Sequence, residues 1–419
     1  MTWAGLIIFI LLVLFHYRFY NGGLYYLYWV SLFAKLLGVM VLSWMYLNYY
    51  EGGDTWHFFH GAVRFNQVAT ANFSNFFKLY LFNHYELVNN FEYVHQPRAA
   101  LMLKLVGIVN ILSGNNYWVT GMYFSLISFS GVWVFAKWLK SQLNFGTVEM
   151  LIFLLWPSFV FWTSGVMKES VAISALLWAV YCYMRIMDGK KNWLTIGFMG
   201  VSLAFLFAIK YYYGAVLIPI LASHFVVSKT RFVKQANWKW MLAWAVVLSG
   251  FLIIISTLHP NFYWSRFLEV IVDNHDKFLV ISDPVTLVHF DNLQPNWVSF
   301  ALNMPKALFA GIFLPLDFKG NWLYVLASLE NWLLVVLMLF GLFTWNFKID
   351  ERYKLYVVAA ITFIVIQSIF LSLSTPNLGT LLRYKSAFQP FLLTLIASMI
   401  NFRRKNLNLQ WLDRLEAKF

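Results

Sequence analysis

Eleven apolar runs recur along this chain at about 3–17, 26–48, 117–137, 148–166, 170–187, 193–209, 212–228, 239–258, 322–344, 355–374 and 385–400. A helix needs about 20 predominantly apolar residues to cross a bilayer, and the shorter runs reach across by tilting or by snorkelling of their ends. With 61% hydrophobic and only 12% charged residues, 419 residues in water would have no way to cover their apolar surface. The expected fold is therefore all-α and polytopic, with about eleven transmembrane helices. No internal repeat, heptad run or low-complexity tract marks a boundary, so residues 1–419 read as a single transmembrane domain. The first run has no basic region before it and no small-residue cleavage site after it, so it reads as a retained span.

The net charge of +13 would suggest a nucleic-acid partner in a soluble protein, but here the basic residues sit at the ends of apolar runs, and no nucleic acid is expected. Eleven crossings put the termini on opposite sides. Lys137, Lys140, Arg185, Lys190, Lys191, the stretches Lys229 to Lys239 and Lys348 to Lys354, and Arg403, Arg404 and Lys405 all fall on one side. That side reads as the cytoplasm, which makes the N-terminus extracytoplasmic and the C-terminus cytoplasmic. The inner side then holds 18 Lys/Arg and 6 Asp/Glu, the outer side 12 of each, with Lys35 left inside a span. Two long extracytoplasmic loops, about 49–116 and 259–321, mix apolar stretches with Asn, His, Asp and aromatic residues, a pattern that suits interfacial helices. The single cysteine, Cys182, excludes an intrachain disulfide and a cysteine-based metal site. Outer loops with no Asn-X-Ser/Thr site besides Asn72-Phe-Ser74, and no cysteine framework, point to a bacterial inner membrane.

Cations retained in outer connections oppose the insertion bias. Lys168, Lys210, Arg383 and Lys385 are four of these, each beside an aromatic or Gly/Ser/Thr segment. Together they would attract a phosphate or diphosphate, with Arg as a bidentate fork and Lys as a point charge; singly, each equally suits snorkelling to headgroups. Asp54, in Glu51-Gly-Gly-Asp-Thr-Trp-His-Phe-Phe-His, follows two glycines directly after the second span. A partly desolvated carboxylate there would be a strengthened general base, and the same residue could serve as a helix N-cap. His57 and His60, three apart, could share a face with Asp54 and hold a metal, though that spacing more often marks interface histidines. Glu169 follows Lys168 at the start of a span and reads either as part of a substrate path or as a partner for its neighbour. Pro157, in the preceding run, suggests a broken helix lining a cavity.

These residues resemble the GT-C membrane glycosyltransferases. Gly53-Asp54-Thr-Trp-His-Phe-Phe-His-Gly-Ala62 looks like their acidic first-loop motif, and His95-Gln-Pro97-Arg98-Ala-Ala-Leu-Met-Leu like their Pro-containing interfacial helix. Pro157-Ser-Phe-Val-Phe-Trp-Thr-Ser-Gly-Val-Met-Lys-Glu169 is similar to a segment of bacterial members, and Arg383-Tyr384 with Pro390 to their late Arg-Tyr…Pro element. An extra span precedes the usual first one, as in some polysaccharide-polymerase-like proteins, and the first loop carries no paired acidic motif, so no bound divalent metal is expected.

The resemblance implies an inverting transferase that moves a sugar from a polyprenyl-phosphate donor to a saccharide, lipid or protein acceptor on the extracytoplasmic side. Asp54 would be the general base; Arg383, with Lys168 and Lys210, would bind the donor phosphate. Glu169, His57, His60, Arg98, Tyr211 and Tyr384 would contact substrate, the aromatic rings by stacking on sugar faces or isoprene units. No cofactor is expected, and no P-loop or glycine-rich nucleotide turn is present. A polymerase of lipid-linked oligosaccharides would use the same cations on a different acceptor. A transporter or flippase of lipid-linked sugar, the non-enzyme alternative, would carry inverted repeats with broken midplane helices.

Overall fold

The computed structural model describes residues 2–400 apart from 51–52, 90, 92, 94, 144, 231–238 and 345–350, with the backbone alone at 351–352. Glu51, the basic residues at 231–238, Lys348, and the tail with Arg403, Arg404 and Lys405 therefore lie outside the described residues. The chain is 81% helical, with no β-strand among the described residues. The helices run in order α1 (Thr2–Tyr20), α2 (Tyr25–Asn48), α3 (Asp54–Ala69), α4 (Phe73–Tyr80), α5 (Pro97–Ser113) and α6 (Tyr117–Leu143). Next come α7 (Thr147–Leu154), α8 (Pro157–Trp162), α9 (Lys168–Met187), α10 (Trp193–Ile209), α11 (Tyr211–Ser228) and α12 (Lys239–Ser256). The last are α13 (Phe267–Ile281), α14 (Trp297–Phe313), α15 (Trp322–Phe343), α16 (Glu351–Ser374), α17 (Leu378–Tyr384) and α18 (Gln389–Ile400).

The protein is an all-α, polytopic membrane protein. Among the described residues eight helices, α1, α2, α6, α9, α11, α12, α15 and α16, are long and apolar enough to cross a bilayer. Of the other three apolar runs, 193–209 forms the 17-residue α10, and 385–400 forms a 3₁₀ turn, Lys385–Ala387, followed by α18. The run 148–166 is split at Leu155–Trp156 into α7 and α8, because Pro157 lacks the N–H that would continue the ladder. The long loops fold as α3 to α5 and as α13 and α14, with 3₁₀ turns between.

α6 and α9 are the most buried spans, whereas α1, α12 and α15 leave broad apolar faces for lipid. Lipid tails are as apolar as the side chains, so helices associate through close packing of small residues and a few hydrogen bonds. A Cβ added at Gly131 of α6 would lie 2.6 Å from the Ser174 carbonyl of α9, and one at Gly311 of α14 would lie 2.5 Å from the Ser368 carbonyl of α16. Ser174 Oγ donates to the Ile127 carbonyl at 2.7 Å and Trp178 Nε1 to Ser130 Oγ at 3.1 Å, fastening α9 to α6 beside the first of these crossings.

Polar groups inside the bundle find partners. Lys35 of α2 donates to Ser128 Oγ at 3.1 Å and to the Thr163 carbonyl at 2.9 Å, and also contacts the Thr163 hydroxyl. It holds α2, α6 and the end of α8 together. At the Pro157 break, Glu330 of α15 accepts from Ser158 N at 2.9 Å and Ser158 Oγ at 2.5 Å, while Gln389 donates to the same hydroxyl at 2.7 Å. The freed start of α8 is thus closed by a carboxylate: Pro157 does break the helix, and the N–H group freed next to it finds Glu330. Asparagine opens α4, α10, α14, α15 and α17: the side chains of Asn72, Asn192, Asn296, Asn321 and Asn377 each accept from a backbone N–H of the first turn.

Gly131→Ala and Gly311→Ala are expected to lower stability by about 1–3 kcal/mol, the cost of forcing a methyl into a close-packed crossing. Gly197→Ala, on α10 with open space around it, is expected to be neutral or slightly stabilising. Thermal unfolding of the purified variants checks this, and equal melting temperatures for all three would show that the crossings are not tight.

Candidate functional site

A cavity of about 1100 Å³ lies where the N-termini of α3, α5 and α9 meet the α10–α11 junction and the end of α17, and it continues between α12, α13, α14 and α16. Its far walls are apolar, with Leu252 and Ile253 of α12, Ile271 and Phe278 of α13, and Phe300 and Met304 of α14. Its charged lining is confined to one end and consists of Arg98, Lys168, Lys210 and Arg383 with Asp54 and Glu169. Four cations thus face two carboxylates.

Glu169 organises this end. It is 2% exposed, in the first turn of α9, and its Oε1 accepts from Lys210 Nζ at 2.8 Å. Arg383 Nε lies 3.3 Å from the same oxygen, too poorly directed for a hydrogen bond but close enough for an ion pair. A buried charge is tolerable only when paired and hydrogen-bonded, and here one carboxylate gathers two cations from distant parts of the chain. Lys210 also donates to Tyr212 Oη at 2.9 Å and stands 4.0 Å over the Tyr384 ring, a cation–π geometry. Tyr213 Oη donates to the Tyr384 carbonyl at 3.2 Å, and Gln367 Nε2 to the Tyr212 carbonyl at 3.0 Å. Burial opposes ionisation of the Tyr384 phenol, yet Lys210 and Arg383 together hold it below its ordinary value.

Asp54 stands at the mouth. Gly53, at φ 85°, is the N-cap of α3, and Asp54 is the first helical residue, so the cap role considered for Asp54 passes to the glycine. The positive φ is a conformation that glycine adopts without penalty. The Asp54 side chain is 62% exposed, and its Oδ2 accepts from Arg383 Nη1 at 3.2 Å. The expectation of a desolvated carboxylate is corrected: Asp54 is solvated and ion-paired, and Glu169 is the buried acid. Arg383 therefore bridges one buried and one exposed carboxylate. Burial alone would lower its pKa; Glu169 first, then Tyr384, Tyr46 and Asp54, raise it well above the ordinary value.

Arg98 enters from the first turn of α5, where Pro97 at the start presets the helix. Its guanidinium lies 4.8 Å from the Tyr211 ring. Tyr211 also stacks on His259 at 4.8 Å and 14°, and its hydroxyl accepts from Asn261 Nδ2 at 3.0 Å. Burial and Arg98 lower the pKa of His259. Lys168 rests over the Phe58 ring at 4.9 Å.

Eight residues singled out in the sequence thus line one cavity: Asp54, Arg98, Lys168, Glu169, Lys210, Tyr211, Arg383 and Tyr384. Three do not. Lys385 turns the other way and donates to the carbonyls of Ile312 and Leu314, at 3.1 and 2.6 Å, closing the end of α14. His57 and His60 are exposed on α3 and outside the cavity lining, His60 packed edge-on against Trp56 at 4.1 Å. Among the described residues no group of three His, Cys, Asp or Glu is placed to hold a metal ion. Of the two roles considered for Glu169, contact with its neighbour Lys168 is not the one found: consecutive helical residues point about 100° apart, and Glu169 turns to Lys210 and Arg383 on the cavity wall. Gln367, His259 and Asn261 were not foreseen. No protein-family model, curated protein or solved structure matches the chain.

Replacing the buried carboxylate strands two cations, whereas replacing the exposed one releases a solvated pair. Glu169→Gln is expected to destabilise the fold by roughly 3–5 kcal/mol and Asp54→Asn by about 0–1 kcal/mol. Thermal unfolding of the two purified variants tests the ranking, and the reverse order would mean that Glu169 does not anchor the site.

Proposed function

We propose that the chain is an integral membrane glycosyltransferase that moves a sugar from a polyprenyl-phosphate donor to an acceptor, on the extracytoplasmic side of a bacterial inner membrane. One observation carries this reading: a single cavity joins apolar walls to a buried lysine and a partly buried arginine, with an accessible carboxylate beside the arginine. The apolar walls suit the isoprenoid chain. Arg383 and Lys210 suit its phosphate, and Glu169 holds both cations in place before the ligand arrives, which is the preorganisation that electrostatic catalysis needs.

In this mechanism the acceptor oxygen attacks the anomeric carbon while Asp54 takes its proton. The bond from the anomeric carbon to the phosphate oxygen breaks, the electron pair leaves with the lipid phosphate, and the configuration inverts. Arg383 and Lys210 stabilise the charge that builds on that phosphate. Arg383 begins paired to Asp54, and the incoming phosphate competes for the same guanidinium, so donor binding releases the base. Tyr211 and Tyr384 line the cavity beside these cations and would contact sugar or isoprene with their exposed edges.

Asp54→Asn is expected to abolish transfer of a labelled sugar while leaving expression unchanged and stability within about 1 kcal/mol, since it keeps the shape and removes the base. Full activity in that variant would sink the assignment. Arg383→Lys keeps the charge but loses the fork; donor binding is expected to weaken roughly ten- to hundredfold, the worth of one charge-assisted hydrogen bond of about 1.5–3 kcal/mol. A binding titration with polyprenyl phosphate measures it, and an unchanged affinity would take Arg383 out of the donor site.

A further inference from the structure

The four cations of the cavity fall into two pairs of different character. Lys210 and Arg383 are both held by Glu169, and Arg383 by Asp54 as well. Lys168 and Arg98 have no carboxylate partner among the described residues; each rests on an aromatic face, Phe58 for Lys168 and Tyr211 for Arg98. Lys168 and Glu169 are neighbours on the first turn of α9, so their side chains leave the helix in different directions: Glu169 toward Lys210 and Arg383, Lys168 toward Phe58 of α3. Lys168 and Arg98 both line the same charged end of the cavity, where Asp54 and Glu169 also lie, but neither carboxylate is in ion-pair contact with Lys168 or Arg98. With no carboxylate in contact, both side chains are free to address an anion that enters the cavity.

Resting on the transferase reading above, we infer that Lys168 and Arg98 form a second oxyanion subsite. It receives the phosphate of a second lipid-linked substrate, the acceptor, while Arg383 and Lys210 receive that of the donor. Two further observations point the same way. Next to Arg98, Tyr211 is fixed by His259 and Asn261, and the cavity is also lined by Trp264 and Trp297, whose rings lie 4.7 Å apart; these are ring faces of the kind on which saccharides stack. Both subsites open on the same apolar walls, from which a water-soluble anion gains nothing and a lipid-linked one gains burial.

The test counts bound molecules of farnesyl phosphate on the full chain in phosphatidylcholine nanodiscs by native mass spectrometry. Two per chain are expected in the wild type, one in Arg98→Gln/Lys168→Gln, and two again in Arg98→Lys/Lys168→Arg, which keeps both charges. A single molecule in the wild type, unchanged in the Gln variant, overturns the second subsite and leaves the transferase reading standing. No bound molecule overturns both. If the wild type binds one farnesyl phosphate and one farnesyl diphosphate, the latter weakened tenfold or more by the Gln pair, all four cations read one diphosphate headgroup and the inference fails. Displacement of one farnesyl phosphate by inorganic phosphate at equal concentration would assign the subsite to a free anion and overturn its lipid-linked occupant.

Discussion

The Glu169 carboxylate is the charge on which the rest of this arrangement depends. Taken alone, an ionised acid buried at the top of a membrane helix carries a desolvation cost of several kcal/mol, and only close cations offset it. Lys210 arrives from the junction of α10 and α11 and Arg383 from the end of α17, so one charge ties three separate segments of the chain together. The aromatic floor follows from the same demand: Tyr212 and Tyr384 take up the faces of Lys210 that Glu169 does not reach.

Around this anchor the protein grades its exposure. The acid at the bottom is sealed and the acid at the mouth is solvated, with Arg383 reaching between them. A guanidinium is suited to that position because its planar fork addresses two oxygens of different residues at once, where an ammonium acts as a single point. The inner contact is shut away from water and the outer one is open to it, on the two sides of one side chain.

Most of the architecture is legible along the chain because the bilayer imposes length and polarity on it. The apolar runs mark the helices, and Gly53-Asp54 and Gln96-Pro97 mark two helix starts that prove to border the cavity. Lys168, Lys210 and Arg383 stand out along the chain as cations at helix ends beside aromatic or small residues, and they meet in one cavity. Direction is what one dimension hides. Arg383 and Lys385 are two residues apart, yet one faces the cavity and the other the carbonyls closing α14. Lys168 and Glu169 look like partners and part company at the first turn of α9. Pro157 announces a broken helix but not Glu330, the remote carboxylate that closes it. His259 and Asn261 sit in an aromatic segment without periodicity, and their role comes only from packing against Tyr211.

The asparagine caps have an electrical consequence for the cavity. Aspartate would open a helix as well as asparagine does, but it would set a full negative charge beside each helix start. Asn377 opens the short helix that carries Arg383, two residues after Thr375 of the cavity wall, and a carboxylate there would act as a built-in competitor for any anionic guest. The amides satisfy the orphan N–H groups without adding a negative charge, so the caps themselves do nothing to offset the cations of the cavity.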